Sequence, residues 1–388
     1  MNARASTMIA AFLATASGCG MFGGGGDDPI EPPAELVEFE PRLEIERVWN
    51  VRVGGGADAL RLALKPATDG TRIYAGAHDG QASAFDAETG RRLWETRTRL
   101  PLAAGPGFGS GVVAFGTNDG DLVTLDAETG EERWRLQVGG EVLASPAIGA
   151  DVVVLSTVDG RLRGYSVLDG RLLWTVEHAV PALTVRGNTE PVISGTSVVA
   201  GFDNGRLGAY ELATGETRWE APLAAPAGRT ELDRIVDISA GLAVVGNDVY
   251  AVGYNGRAVA VGLETGLLLW QQEISSYAGL GAGFADVYVA DDLSQVVALD
   301  RQTGTRRWTQ PELRLRDISR PTFYRGTVVV GDLEGYLHWL DSQDGSFLAR
   351  ERVGSQRITS APLVVGANIY AQGEDGTLAA FTIAEEDS

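Results

Sequence analysis

The 388-residue chain has a single cysteine, Cys19, so no disulfide can form within it. Its three histidines, His78, His178 and His338, are too few and too scattered for a histidine- or cysteine-rich metal site, and each reads as a surface or packing residue. Lysine is almost missing: Lys65 is the only one, and every other basic residue is arginine. Positive charge is short overall, with 32 basic against 52 acidic residues and a net charge of −20. Such a body is repelled at long range by nucleic acid and by an anionic membrane surface, which excludes both as its main partner. Catalytic patterns are lacking too: there is no Gly-x-Ser-x-Gly elbow and no histidine beside a nucleophile. The glycine triplets at Gly105, Gly107 and Gly109 and at Gly279, Gly281 and Gly283 do not open a helix within a βαβ unit, so a dinucleotide loop is excluded. What the chain has in plenty is glycine, 51 residues, nearly twice the usual share of about 7%. With 44% hydrophobic residues it can also build a core.

The first residues form an address. Arg4 supplies a positive start, Met8 to Leu13 form a short apolar stretch, and Ala16-Ser17-Gly18-Cys19 follow at once. This is the pattern of a secretory signal, too short for a membrane-spanning helix. Its last four residues resemble the lipobox of bacterial lipoproteins, with Ala16 where leucine is usual. The resemblance implies cleavage before Cys19, fatty acylation of that cysteine on sulfur and amino group, and, with Gly20 rather than aspartate next, sorting to the outer membrane. Residues 1–18 are therefore expected to be a signal peptide. Residues 19–40, rich in glycine, proline and acid, are expected to be a lipidated flexible tether.

From residue 41 to 388 the chain repeats. One pattern ends at Trp94, Trp134, Trp174, Trp219, Trp270 and Trp308, with spacings of 40, 40, 45, 51 and 38 residues. Each unit contains a β-branched run, a turn, an alternating run, a second turn and a strand carrying the tryptophan. The first turn is Asp79-Gly80, Asp119-Gly120, Asp159-Gly160, Asn204-Gly205, Asn255-Gly256, Glu334-Gly335 and Asp375-Gly376, which predicts type I′ hairpins. In the sixth unit Leu293-Ser294-Gln295 stands there instead. The second turn runs from Asp86 to Gly90, Asp126 to Gly130, Asp300 to Gly304 and Asp341 to Gly345, where Asp and Thr side chains can bond turn amides. Four short strands per unit predict an all-β fold, an eight-bladed β-propeller with four-stranded blades. The last unit lacks a tryptophan strand and Trp49 has no unit before it, so the N-terminal strand should complete blade eight and close the ring. The tryptophans read as wedges between blades. In blade seven that position is Ala349, so its interface must be packed differently.

Two connections between units are longer than the rest. Both join an outer strand to the next inner strand, so they emerge side by side on one face of a propeller, and loops on a rigid scaffold are where binding is usually found. The first carries Leu183, Val185 and Arg186; the second carries Glu231, Arg234, Asp237 and Ser239. Aliphatic anchors beside an arginine and carboxylates suit a protein-binding hot spot. Self-satisfied charge pairs, such as Arg234 with Asp233 or Asp237, are an equally good reading of composition alone.

Repeats of Asp-x-x-Thr-Gly-x-x-x-Trp over eight units resemble the quinoprotein-type propellers, which include pyrroloquinoline-quinone dehydrogenases and the non-catalytic BamB lipoproteins. The dehydrogenases use a vicinal cysteine pair and a calcium ion in a longer chain, which disfavours that branch here. The segment Leu183 to Gly187 is similar to a Leu-x-Leu-Arg-Gly segment of the BamB family. Thr230 to Asp237 is similar to its Thr-Glu-Ile-Asp-Arg-Leu-x-Asp segment, and Val330 to Leu340 to its seventh blade. The resemblance implies a scaffold of the outer-membrane β-barrel assembly (BAM) complex that takes no cofactor or metal and catalyses nothing. Its partners would be the POTRA domains of BamA, other BAM components and unfolded outer-membrane proteins, with the membrane held by lipid at the periplasmic face. Leu183, Val185, Arg186 and Asp237 would dock BamA, with Glu231 and Arg234 beside them and Ser239 in place of a family aspartate. The alternative is a periplasmic quinoprotein oxidoreductase.

Overall fold

In the computed structural model, residues 31–57, 60, 62–181, 189–223 and 241–384 are described. Among these, regular structure is entirely β. Eight sheets, each built on four antiparallel strands running outward from a central axis, follow one another along the chain, and in seven of them the four strands are consecutive. Blade one spans 67–97, blade two 102–137, blade three 147–177 and blade four 192–222. Blade five spans 242–272, blade six 279–310 and blade seven 322–352. Blade eight takes three strands from the C-terminal end, the last being Thr377–Ile383, and its outermost strand from Ile45–Arg52. The ring is closed by the N-terminal strand, as the unpaired Trp49 predicts.

The tryptophans are the mortar. The Nε1 of Trp49, Trp94, Trp134, Trp174, Trp219, Trp270 and Trp308 each donates to a backbone carbonyl in the next blade, at 2.6–3.0 Å. Every outer strand carries a bulge beside this position, and the extra residue turns the indole toward its neighbour. Beyond the ring lies the glycine ending the neighbour's second turn. Gly130, at φ +74°, would place a Cβ 2.6 Å from the Trp94 ring, so glycine serves both the backbone angle and the close approach. Blade eight has no second turn, because chain ends meet there, and no glycine faces Ala349. That interface is filled by Trp339 from the adjacent strand, edge-on to Phe381 at 6.0 Å.

The second turns behave as their residues predict: Asp86 Oδ1 accepts from the Thr89 amide and hydroxyl. The first turns do not. Type I′ needs positive φ at both central residues, but only Gly80, Gly120, Gly160, Gly205, Gly335 and Gly376 have it, not the residue before. Gly80 N–H donates to the Ala77 carbonyl and Ala77 N–H to Gln81, which makes a three-residue loop with glycine at the bulge. Asn255 and Ser294 take the positive φ in blades five and six.

Because strands alternate in direction, the first turns and the connections between blades share one face, here called the loop face, and the second turns lie on the other. Near the axis the inner strands crowd: a Cβ on Gly107 or Gly281 would sit about 2 Å from the Pro146 or Pro321 carbonyl. Those glycine-rich stretches are inner strands. A short parallel strand, Ala63–Leu64, also pairs with the inner strand of blade two, which no periodicity signalled.

Candidate partner-binding face

The two long connections arise between blades three and four and between blades four and five, on the loop face. Leu183, Val185 and Arg186 of the first, and Glu231, Arg234, Asp237 and Ser239 of the second, lie outside the described residues, as does Cys19. What the structure gives is the ground on which these segments stand.

The first leaves the ring after His178. This side chain lies 3.9 Å from the Phe202 ring, and its Nε2 is 3.0 Å from the Tyr210 hydroxyl and 3.3 Å from Glu220 Oε1. Tyr210 in turn donates to Glu220 at 3.0 Å, and Arg206 holds the other carboxylate oxygen at 3.2 Å. Burial pulls the His178 pKa down against the attraction of Glu220, so the ring is neutral at pH 7. Beside it Asp203 shares a water-sized cavity of about 10 Å³ with Ser156, whose buried hydroxyl has no partner among the described residues. Burial pushes the Asp203 carboxyl up to about 6. The chain returns through Thr189, itself buried, and Glu190, which pairs with Lys65, the sole lysine.

The second connection starts at Leu223, whose N–H donates to the Gly205 carbonyl. It re-enters at Gly241, φ +123°, packed against the Arg320 guanidinium. Arg320 donates to the carbonyls of Leu280 and Leu242, tying the inner strands of blades five and six to the start of blade seven. Both roots are thus fixed by buried and half-buried side chains. Apolar residues flank them: Val180 is exposed, and Tyr277 stacks on Tyr254 with centroids 4.4 Å apart.

On the axis lies a cavity of about 470 Å³, walled by Val192, Val244, Phe323 and Val364, with Lys65, Glu190 and Arg320 at one end. It does not fit a quinone with calcium. Glu190, the one carboxylate lining it among the described residues, is engaged by Lys65, and the chain's only cysteine is Cys19. No group of three or more His, Cys, Asp or Glu suited to a metal occurs among the described residues.

Blade seven holds a cluster that the sequence did not flag. His338 is wholly buried, with Nε2 2.9 Å from Asp332 Oδ2, and Arg316 donates to the same oxygen at 2.8 Å and also to Glu334. Arg350 bonds His338 Nδ1 at 3.2 Å. His338 is therefore a charge-network residue rather than simple packing. The two arginines also hold the N-terminal segment: Arg316 donates to the Ala34 carbonyl at 2.8 Å and Arg350 to that of Val37 at 3.0 Å. Residues 34–43, of which the sequence assigns all up to 40 to a tether, thus lie against blade seven.

Comparison with known proteins agrees with this architecture. A family model described as "Outer membrane protein assembly factor BamB" matches residues 43–102, 78–310 and 294–387. The factor of that name from Pseudomonas aeruginosa is 44% identical over 352 residues, 91% of this chain and 93% of its own. The one from Alkalilimnicola ehrlichii is 40% identical, covering 99% and 98%. Among solved structures, BamB from Moraxella catarrhalis superposes with a TM-score of 0.80 at 26% identity, over 87% of this chain and all of that one. The quinohemoprotein alcohol dehydrogenase of Comamonas testosteroni reaches 0.67 at 12% identity, over 89% and 77%, a likeness of fold alone.

Proposed function

The chain belongs to the BamB family of outer membrane protein assembly factors, and we propose that it acts there as a non-catalytic scaffold docking the POTRA domains of BamA through its two long connections. The observation that supports this reading is the placement of their roots: the strand ends from which both connections depart and to which they return lie on one face of a closed ring, held by the Tyr210–Glu220 bond and by Arg320. A rigid base lowers the ordering cost of a binding loop. Leu183 and Val185 would fill an apolar pocket of the partner. Arg186 and Asp237 would pair with opposite charge or backbone groups, with Glu231, Arg234 and Ser239 at the rim. Val180 and the Tyr254–Tyr277 stack extend the apolar part of that face.

Acylated Cys19 would hold the protein to the periplasmic face of the outer membrane, residues 1–18 being removed as a signal peptide. Two or more acyl chains suffice for stable anchoring without a spanning segment. The scaffold would fix the orientation of the POTRA domains while β-barrel proteins are assembled. Quinone oxidoreductase chemistry has only the shared fold in its favour.

The test is co-purification of BamA from detergent-solubilised membranes. The double charge reversal Arg186→Glu with Asp237→Arg should abolish it while the melting temperature stays unchanged. Undiminished co-purification by the double variant would show the site assignment to be wrong.

A further inference from the structure

The outermost strand of a blade is an edge, with alternate backbone N–H and C=O groups turned to solvent. Charged side chains defend such edges against stray pairing, and the three residues before the tryptophan supply them here. They include Arg91 and Arg92 in blade one, Glu131, Glu132 and Arg133 in blade two, Glu216 and Arg218 in blade four, and Arg306 and Arg307 in blade six, while blade three has Arg171 ahead of the exposed Leu172 and Leu173. Blade five departs from this. Its sequence there is Leu267-Leu268-Leu269, followed by Trp270-Gln271-Gln272, with no charge at all. The three leucines are 67%, 52% and 53% exposed, a consecutive apolar run on an edge that no strand pairs with among the described residues.

Blade seven shows what such an edge takes. Phe347 and Leu348 follow Gly345 as Leu268 and Leu269 follow Gly266, yet Phe347 is only 8% exposed. The chain's own residues 34–43 cover it. Phe39 stacks on Phe347 with centroids 5.2 Å apart, and the N–H groups of Arg42 and Leu43 donate to the Leu348 carbonyl at 2.9 and 3.2 Å. Where the outer strand of this ring is apolar and covered, the cover is an elongated piece of chain that gives it backbone N–H groups and an apolar side chain.

We propose that the outer strand of blade five is a docking edge for an extended segment of another polypeptide, which adds to it as a further strand and lays apolar side chains on Leu267, Leu268 and Leu269. The Leu269 carbonyl is the counterpart of the Leu348 acceptor. Backbone pairing supplies affinity and alternate side chains supply selectivity. Charge argues against a second copy as the occupant, since two bodies of −20 repel. A neutral or basic segment with alternating aliphatic residues fits. Leu267 precedes the strand and Leu268 and Leu269 begin it, toward the face opposite the loop face, so this edge and the loop face can be engaged together. The inference is independent of the docking role given to those connections.

The test is fluorescence anisotropy of the lipid-free chain from residue 20 with a labelled ten-residue peptide of alternating valine and threonine, ended by lysines. Saturable binding is expected, weakened at least tenfold by Leu268→Glu and by Leu267→Lys, and unchanged by Arg92→Glu. The Leu267→Lys site is two-thirds open to solvent, so this variant keeps the fold even if Leu268→Glu disturbs it. The same peptide N-methylated on alternate residues should not bind. Absence of binding by the wild type, equal binding by Leu267→Lys, or equal binding of the methylated peptide would each overturn the proposal. So would a dimer in sedimentation that Leu267→Lys dissociates, which would assign the edge to a second copy.

Discussion

Trp94 Nε1 donates to the Ala127 carbonyl at 3.0 Å while the same indole covers Gly130, so one side chain ties blade one to both ends of the second turn of blade two. Gly130→Ala must therefore strain the backbone at φ +74° and push against the ring. Gly111→Ala, at φ +72° with open space where the Cβ would go, carries only the backbone part, about 1–2 kcal/mol. Urea denaturation should show Gly130→Ala losing at least about 1–3 kcal/mol more than Gly111→Ala. Equal losses would mean the ring contact contributes nothing.

Much of this architecture was legible because its signals are local and repeated. Tryptophan, the turn aspartates and the paired glycines recur at each blade, and Trp49 without a unit before it pointed to closure. The first turns differ from the type I′ expectation because Asp-Gly alone suggests a two-residue loop, whereas the hydrogen bond from Ala77 to Gln81 encloses three. The cover on blade seven was not legible. Residues 34–43 have no periodicity, and Phe347 and Leu348 look like exposed apolar residues until their cover is seen. His338 gave no sign either, since its partners Asp332, Arg316 and Arg350 meet it only across turns and strands.

The Asp332–His338 pair sets an acid limit on stability. Burial pulls the His338 pKa down more than Asp332 pulls it up, so its folded value lies below the ordinary value near 6.5. Between those two values the unfolded chain binds the extra proton, and stability falls as pH drops below about 6.5. Burial raises the Asp332 carboxyl, but His338, the Tyr336 amide and Arg316 outweigh it, so this group adds a further loss below about pH 4. His338→Gln should flatten the loss just below pH 6.5, measured as the denaturation midpoint against pH. Asp332→Ala, which leaves buried Arg316 with only the half-exposed Glu334 carboxylate, should cost about 3–5 kcal/mol at pH 7.

Asp203 has the opposite sign. With a folded pKa of about 6 against about 3.9 unfolded, its contribution is full below pH 4 and is lost as pH rises through 6. Asp203→Asn cannot ionise and should be more stable than the parent at pH 7. A gain of about 1–2 kcal/mol is expected after allowing for solvent near the carboxyl. The gain should vanish at pH 3.5. A gain independent of pH would mean that ionisation of Asp203 is not its source.

The cover on blade seven should be separable from the ring. Arg350 holds the Val37 carbonyl and lies over the Phe39 ring at 5.0 Å, so Arg350→Ala and Phe39→Ala each remove its grip. Both should speed proteolysis within residues 34–42 by tenfold or more, read by mass spectrometry of the first cut. Phe39→Ala should leave the melting temperature of the ring within a few degrees of the parent. If cutting stays slow in both variants, the backbone bonds to Leu348 hold the segment without the side chains.

Closure by the N-terminal strand can be tested by where the chain is begun. Starting at residue 44 keeps Ile45–Arg52 paired with Thr377–Ile383 and keeps Trp49 bonded to Ala87. Starting at residue 54 removes that strand, opens the apolar cluster around Trp49, Val53, Ile73 and Leu378, and leaves blade eight with a bare edge beside Phe381. Losing one indole wedge alone costs about 3–5 kcal/mol, comparable to a third or more of a typical domain's stability. The chain from 44 should unfold in one cooperative transition, and the chain from 54 should lack it and bind a hydrophobic dye. A peptide of residues 44–53 added in trans should restore the transition, with a midpoint that rises with peptide concentration, because a ligand that binds only the closed ring stabilises it by mass action. If the chain from 54 melts like the chain from 44, the ring holds without its eighth outer strand, and the six remaining indole wedges carry closure by themselves.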